Sequence, residues 1–420
     1  MVYDLIVIGS GAAGMMAAIT AARRQKRVLL LEKLPVLGAK LKATGGGRCN
    51  VTNTLPKDRF MECFGRQGRF MSESLQALDH HALVEFFRTL GVECHAPDGY
   101  RVFPVSHNAL SILNALEAEL HRLNVDIRCS ERVESWLYRK GVLYGVMTTQ
   151  QHQYEGTHVI VATGGLGYPR LGAEGDGYVL AQSIGHTVTA LHPAMIPLYT
   201  KEPWVKRCRA DTIAKAELRI SLPKAKKLRA VGDLIFTTQG IRGPVVLDFA
   251  REITPLLERY GEVPLHINVV QGMNEAQILE KIHKALAEDP HQRTRELLSV
   301  LIPDALSREL CAMASLDPER HWNKQPGGAR HALLNLLVKM PLTVVGHGGF
   351  NMAMITRGGV TLKEVDPRTM RSRLIDNLYF CGEVLDLDGP CGGYNLQWSF
   401  SSGYLAGMLG EFTCKKVKTP

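Results

Sequence analysis

The sequence predicts an α/β protein in which one discontinuous domain is interrupted by an insert, β-rich first and helical afterwards. Three observations carry that prediction. Residues 3–32 read as strand, glycine turn, helix, strand and acid. A second strand ending in a glycine and an acid lies near the other terminus, at 377–383. Between them, short alternating strands give way after residue 274 to apolar residues at helical spacing.

Residues 3–8 form an apolar run rich in Ile and Val, the pattern of a buried strand. Gly9-Ser10-Gly11-Ala12-Ala13-Gly14 follows at once, and Met15, Met16, Ala18, Ile19, Ala21 and Ala22 continue it as a helix. A second strand at 28–31 ends on Glu32. Each glycine has its own reason: Gly9 permits the tight turn, Gly11 lets a pyrophosphate approach the backbone, and Gly14 lets helix and strand pack closely. The helix N-terminus offers N–H groups and a positive dipole end to phosphates. Glu32 lies 18 residues past Gly14, near the ~20 expected for the acid that holds a ribose hydroxyl. This is a Rossmann-like unit. A carboxylate at 32 repels a 2′-phosphate, so the loop suits FAD or NAD and not NADP.

The far end decides for FAD. The strand at 377–383 closes on Gly382-Glu383, and Gly389, the pair Gly392-Gly393 and a helix beginning near Asn395 come after it. Two-dinucleotide flavoproteins close their FAD site this way: the acid takes ribityl hydroxyls and the helix N-terminus faces the flavin N1–C2 edge. That edge gains negative charge on reduction, so a positive helix end raises its electron affinity. A Val/Ile strand at 157–162, ending Ala162-Thr163-Gly164-Gly165, marks the return from a β-meander expected at 126–132, 133–139 and 142–148. The glycine-rich loop 164–177 reads as a cofactor-covering loop or a flexible connection. Gly346-His347-Gly348-Gly349 lacks the spacing of a second fingerprint, so NAD(P)H is expected only as a transient co-substrate.

The FAD-binding domain is expected at 1–192 and 342–420, with His192-Pro193 ending its first segment and Pro341 opening its return. A β-barrel-like insert is expected at 193–273, with strands at 217–221 and 234–237, and helices at 274–341. The insert should cap the isoalloxazine and shape a substrate cleft.

Composition fits this reading. With 420 residues, 45% hydrophobic and 22% charged, the chain is long enough for two or three cores. No apolar run reaches the roughly 20 residues of a membrane helix, and the run at 5–8 is too short for a signal peptide core; the expectation is a cytoplasmic protein that does not bind membranes. Nine cysteines with no C-x-x-C spacing argue against a disulfide framework, a zinc ribbon or a redox dithiol. No metal cluster or Ser-His-Asp motif is visible; His80-His81 reads as surface. The net charge of +9 gathers at 206–229, and at Lys415, Lys416 and Lys418. A solvated face is the plain reading and a polyanion surface the sharper one. Trp204 is the one aromatic near that stretch, which argues against nucleic acid as partner.

Thr44-Gly45-Gly46-Gly47-Arg48-Cys49-Asn50-Val51-Thr52-Asn53, with 382–389 and 392–398, resembles the BaiN/RdsA-type NAD(P)/FAD-dependent oxidoreductases, a group that includes aminoacetone oxidase family flavoenzymes. The residues Ala162-Thr163-Gly164-Gly165, 175–178 and 356–360 match as well, so the resemblance covers essentially the whole chain. It implies FAD lined by Gly9, Ser10, Gly11, Ala13, Gly14, Glu32, Lys33, Lys40, Gly47, Arg48, Asn50, Thr163, Gly164, Gly382, Glu383, Gly393, Tyr394, Asn395 and Leu396, with the Val133 backbone on the adenine. Physically, a loop without bulky side chains lets backbone lie against a cofactor. Arg48 and Asn50 supply donors, and Lys33 and Lys40 are placed to neutralise a pyrophosphate. Arg48, Asn50, Tyr394 and Asn395 are expected beside the flavin ring. The chain departs from the family at Phe236-Thr237-Thr238, where a histidine is frequent, so no histidine role carries over there. Cys391 stands at a variable position and reads as a small loop residue.

The expected activity is hydride exchange between flavin N5 and a small organic substrate, as an NAD(P)H-linked reductase of an activated double bond. The alternatives are an amine oxidase, flavin chemistry on nucleic acid, and a non-enzymatic flavin redox sensor.

Overall fold

The computed structural model describes residues 2–139 and 142–411; the C-terminal lysines 415, 416 and 418 lie outside them. Two compact units result, 1–192 with 355–420, and 193–354.

The first unit is built on a seven-stranded sheet. Strand β1 (Val2–Ile8) pairs in parallel with β2 (Val28–Leu31), which pairs in parallel with β3 (Asp126–Arg128). On its other side β1 pairs with β6 (Gln153–Val161), the last of an antiparallel meander with β4 (Val133–Arg139) and β5 (Val142–Thr148). The edge of β6 facing away from β1 is shared. Its first residues, 153–155, pair with β5, and Val159–Val161 pair in parallel with β7 (Leu378–Phe380). Asp126–Arg128 therefore extends the parallel sheet instead of starting the meander as expected, because its ladder runs Leu29↔Asp126 to Leu31↔Arg128. Residues 5–8 of β1, all of β2 and the Leu-Tyr-Phe of β7 are buried. Such runs belong to strands covered on both faces, and each large apolar side chain so buried contributes about 1.5–3 kcal/mol.

Helix α1 (Ala12–Arg23) is buried from Ala12 to Ala21. Its small side chains admit the long C-terminal helix α2 (Tyr394–Gly407) at close range. A Cβ on Gly403 would lie 2.2 Å from the Ala13 carbonyl oxygen, and one on Gly407 2.5 Å from that of Ala17. These two glycines, four apart on one face of α2, fix the crossing with α1.

The second unit contains a closed six-stranded barrel, in the order Leu198–Thr200, Gly240–Arg242, Arg229–Phe236, Thr212–Ile220, Val263–Asn268 and Met340–His347. Its helices are Pro244–Tyr260, Glu275–Glu288, Thr294–Ser299, Asp304–Met313 and Gly327–Lys339, with shorter turns between. Two expectations are corrected. The first unit resumes at Ile355 and not at 342, because Met340–His347 is a barrel strand paired with both Val263–Asn268 and Leu198–Thr200. A 17-residue helix, Pro244–Tyr260, also lies inside the stretch read as β; Pro244 occupies its first turn, where a missing N–H costs nothing. On the barrel strands Glu217 takes Arg219 at 2.7 Å and Arg229 at 3.4 Å, and beside them Glu309 of the helix Asp304–Met313 takes Arg207 of the turn Pro203–Cys208 at 2.5 Å.

Candidate functional site

Four strands of the first unit end at one edge of its sheet: β1 before Gly9, β2 before Glu32, β6 before Thr163, and β7 before Gly382. Open α/β sheets bind ligands outside this carboxyl edge.

The glycines of the first loop divide by what surrounds them. Gly9 has φ +99°, and a Cβ there would lie 2.7 Å from the Ala162 carbonyl oxygen; on Gly14 it would lie 1.9 Å from that of Gly9. A Cβ on Gly11 would meet nothing within 4 Å. Packing thus accounts for Gly9 and Gly14, while Gly11 leaves bare backbone beside space at the start of α1. The first N–H groups of a helix have no intrahelical partner and suit an anion.

Glu32 is fixed at the end of β2. Its Oε2 accepts from Ser10 N–H at 3.0 Å and from Ser10 Oγ at 2.5 Å, and its Oε1 accepts from Leu34 N–H at 2.9 Å. The Glu32 carbonyl accepts from Glu131 N–H at 2.9 Å, which brings the segment leading to buried Val133 alongside. Sequence reasoning gave Ser10 no partner; here it is the residue that orients the acid.

Both lysines of the crossover are paired. Lys33 Nζ lies 2.8 Å from Glu174 and from Asp176, and Arg132 reaches Asp176 at 2.6 Å. Lys40 Nζ lies 2.7 Å from Glu383 Oε2. Glu383 Oε1 accepts from Thr356 N–H at 2.9 Å, and Thr356 Oγ1 accepts from Leu166 N–H at 2.7 Å. Thr356, which sequence reasoning matched to a motif without assigning it a role, therefore links the loop after β6 to the end of β7. The two lysines serve carboxylates first, which limits the charge they offer to a phosphate.

Around this spot the chain leaves openings and an orphan. Among the described residues, the buried Thr163 Oγ1 has no hydrogen-bond partner, and Gly164, at φ +71°, has nothing near its missing Cβ. Gly382, at φ +77°, brings the end of β7 against Ala13 of α1 and donates its N–H to Ser402 Oγ at 2.9 Å. An orphaned hydroxyl, open glycines at 11 and 164 and two fixed acids suit a dinucleotide, so the residues present fit FAD.

The loop 44–50 and the start of α2 meet on the neighbouring side. Gly45, Gly46 and Gly47 all have positive φ, and a Cβ on Gly46 or Gly47 would meet nothing. Arg48 is exposed, with Nε donating to the Gly45 carbonyl at 3.3 Å and its guanidinium 5.4 Å from the Phe103 ring centroid. Asn50, its amide oriented by its neighbours, donates to the Val102 and Thr52 carbonyls and accepts from Gly393 N–H at 3.0 Å. Asn395 holds the preceding loop, accepting from Gly389 N–H at 2.8 Å and donating to its carbonyl at 2.9 Å. Leu396 packs on the core. Tyr394 turns into an aromatic cluster, its ring 4.8 Å from that of Phe60. Burial pushes the Cys49 thiol up to about 12 and that of Cys94 to about 11, so neither supplies a thiolate. The cysteines among the described residues are free thiols, and no group of His, Cys, Asp and Glu there is arranged to hold a metal ion. No helix is long and apolar enough to cross a membrane among the described residues.

The family model described as HI0933-like protein Rossmann domain matches residues 3–409. The chain belongs to that family. This HI0933-like protein is 34% identical to the 3-dehydro-bile acid delta(4,6)-reductase of Clostridium scindens, over 96% of this chain and 97% of that one. It is 28% identical to the ribosomal RNA dihydrouridine synthase of Escherichia coli, over 96% of each. Among solved structures, it resembles 3-ketosteroid delta1-dehydrogenase from Sterolibacterium denitrificans with a TM-score of 0.56 and 14% identity, covering 98% of this chain and 99% of that one. The 3-ketosteroid-delta4-(5alpha)-dehydrogenase of Rhodococcus jostii RHA1 gives a TM-score of 0.50 at 17% identity, covering 98% and 97%. Those two likenesses speak to the fold. Family and relatives together make the HI0933-like chain an FAD-dependent oxidoreductase with a Rossmann-type FAD-binding domain.

Proposed function

We propose that the protein is an NAD(P)H-linked reductase that moves a hydride through flavin N5 to a carbon–carbon double bond conjugated to a carbonyl in a small organic substrate. The observation that carries this is the full-length likeness to a delta(4,6)-reductase, at 34% identity. Formation of dihydrouridine is the same chemistry, because the uracil C5–C6 bond is conjugated to a carbonyl; two relatives are named for it.

In this reading the pyrophosphate of FAD lies over Gly9 to Gly11 and the start of α1, where backbone N–H groups and the helix dipole favour anions. Glu32 holds the adenosine ribose, and the Val133 backbone borders the adenine. Thr163, Gly164 and Glu383 take the ribityl chain, and the start of α2 meets the pyrimidine edge of the flavin beside Gly47, Arg48 and Asn50. The flavin supplies hydride transfer; the chain binds, orients and tunes it. A single glycine fingerprint leaves the nicotinamide as a visiting co-substrate.

Anaerobic mixing tests the reading through the flavin band near ~450 nm. Bleaching by NADH or NADPH, followed by recovery on adding an enone, is the expected result. Bleaching by an amine alone makes the protein an oxidase instead, and a flavin that no nicotinamide or substrate alters makes it a sensor.

A uridine in RNA is a second reading, favoured by one surface. Lys224, Lys226 and Lys227 stand exposed in the turn between the barrel strands Thr212–Ile220 and Arg229–Phe236. Trp204, the aromatic nearest this stretch, is buried with its ring centroid 5.8 Å from that of Phe236, so it is not placed to stack on a base. RNA retention that falls steeply with salt supports this reading; no retention at low salt removes it.

A further inference from the structure

We propose that residues 164–176 form an ion-paired strap that closes over FAD and sets how fast the cofactor enters and leaves; this rests on the FAD placement given above. The segment lies within the unit 1–192 with 355–420, and the sheet order fixes its course. Strand β1 stands between β2 and β6, and β7 lies beyond β6. The segment leaves the end of β6 and first meets the end of β7. Leu166 N–H donates to Thr356 Oγ1 at 2.7 Å, and a Cβ on Gly165 would lie 2.8 Å from Glu383 Oε1. It then reaches the other side of β1. A Cβ on Gly172 would lie 3.1 Å from Leu34 Cδ1, and Leu34 N–H donates to Glu32. Passing from Glu383 to Glu32, the strap crosses the carboxyl end of β1, where Gly9 and Gly11 stand. A dinucleotide held by the same two acids crosses the same end, and Gly11 and Gly164, where an added Cβ would meet nothing within 4 Å, leave it space.

The strap is held unevenly. Among the described residues, the backbone hydrogen bonds of residues 167–173 are local. The Tyr168 carbonyl accepts from Leu171 N–H at 2.8 Å, that of Pro169 from Gly172 N–H at 2.9 Å, and that of Gly172 from Glu174 N–H at 3.1 Å. Tyr168, Gly172 and Gly175 have φ of +59°, +93° and +85°. Charge fastens the far end instead. Glu174 and Asp176 each pair with both Lys33 and Arg132: Lys33 Nζ is 2.8 Å from each acid, and Arg132 is 2.6 Å from Asp176 and 3.2 Å from Glu174. Lys33 directly follows Glu32 and Arg132 directly precedes Val133, so the quartet stands at the adenosine end of the proposed site. The side chains of Lys33 and Asp176 are 14% and 15% exposed, which limits solvent screening of that pair. Arg132 and Glu174 are exposed.

Two acids against two bases leave the quartet without net charge, so it acts on FAD by keeping the strap down. A latch that does not touch the cofactor changes how often the strap is open, with FAD beneath it or without. Loosening it speeds entry and release by the same factor and leaves Kd nearly where it was. A residue that binds FAD directly behaves differently, because its loss raises Kd together with the release rate.

Dilution of the holoprotein tests this. Release is read as the regain of free-flavin fluorescence, and Kd from serial dilution of the same sample to equilibrium. An ion pair of this kind is worth up to about fivefold in an equilibrium. Asp176→Asn, which loses two, should therefore release FAD roughly ten- to thirtyfold faster, with Kd within about threefold of wild type. Arg132→Gln should release it about three- to tenfold faster, and Arg132→Lys, which keeps the charge, should stay within about twofold. Release within about twofold of wild type in both Asp176→Asn and Arg132→Gln overturns the strap and leaves the FAD placement standing. A Kd that rises in step with the release rate also overturns it, making the quartet a direct contact of FAD. Should Asp176→Asn not fold, Arg132→Gln, changed at an exposed side chain, decides alone. Wild-type protein that binds no FAD removes the placement and the strap with it.

Discussion

A methyl group added at Gly11 would meet no atom within 4 Å, whereas one at Gly14 would lie 1.9 Å from the Gly9 carbonyl oxygen. The two positions therefore separate binding from folding. Gly11→Val should leave the melting temperature of the flavin-free protein nearly unchanged, within about 0.5 kcal/mol, yet the purified variant should carry no FAD. Gly14→Val should fail to fold or lose about 3 kcal/mol or more. Full FAD content in Gly11→Val would contradict the placement of the pyrophosphate. Glu32→Ala removes a charge-assisted partner worth about 1.5–3 kcal/mol, so FAD should bind roughly ten- to hundredfold more weakly, as measured by fluorescence titration. The contrast between Gly11 and Gly14 was legible in the sequence, because backbone approach and close packing demand glycine at fixed spacing. The pairings of Lys40 with Glu383, and of Lys33 with Glu174 and Asp176, were not. Their partners stand far along the chain, and a lysine's sequence neighbours do not reveal which carboxylate it meets.

Elements were legible where burial imposes composition. The apolar runs of β1 and β2, and the Leu-Tyr-Phe of β7, suit a parallel sheet covered on both faces. Asp126-Ile127-Arg128 carries two charges in three residues and gave no sign of parallel pairing with β2. Pro341 read as the re-entry to the first domain, yet it is the second residue of a barrel strand, at a strand start where proline is tolerated. Pro255 similarly hides the helix Pro244–Tyr260 that contains it. One tether in the first unit carries a pH prediction. His186 is buried, with Nδ1 3.1 Å from Glu364 Oε2, Nε2 2.8 Å from Ser372 Oγ and its ring 4.8 Å from that of Phe380. Burial holds this imidazole below its usual pKa, against the pull of Glu364. Below about 6.5 the unfolded chain takes up a proton that the folded one refuses, so stability is full above that pH and falls as pH drops. Glu364 acts in the same direction at lower pH, since its carboxyl is held down by Thr187 and His186. The melting temperature should therefore fall between pH 7 and 5, with a limiting slope of about 1.4 kcal/mol per pH unit for each such proton. His186→Asn should flatten that slope in part, since His80 and His347 are also lowered by burial. An unchanged slope would remove His186 from the account.

At the scale of the whole chain, the cofactor and the fold are linked. A ligand bound by the folded state alone stabilises it by about 4 kcal/mol at a thousandfold excess over its Kd. FAD should thus raise the transition of the unit 1–192 with 355–420, in which every proposed FAD contact lies. The unit 193–354 should gain little if it melts separately. A scan in which FAD shifts only the second transition would contradict the assignment. The most direct test of the central claim is anaerobic titration of the purified wild-type protein with NADH and NADPH, followed by an enone. The account predicts one FAD per chain, bleached by a nicotinamide and restored by the enone. A protein that neither carries FAD as purified nor takes it up on reconstitution would contradict it.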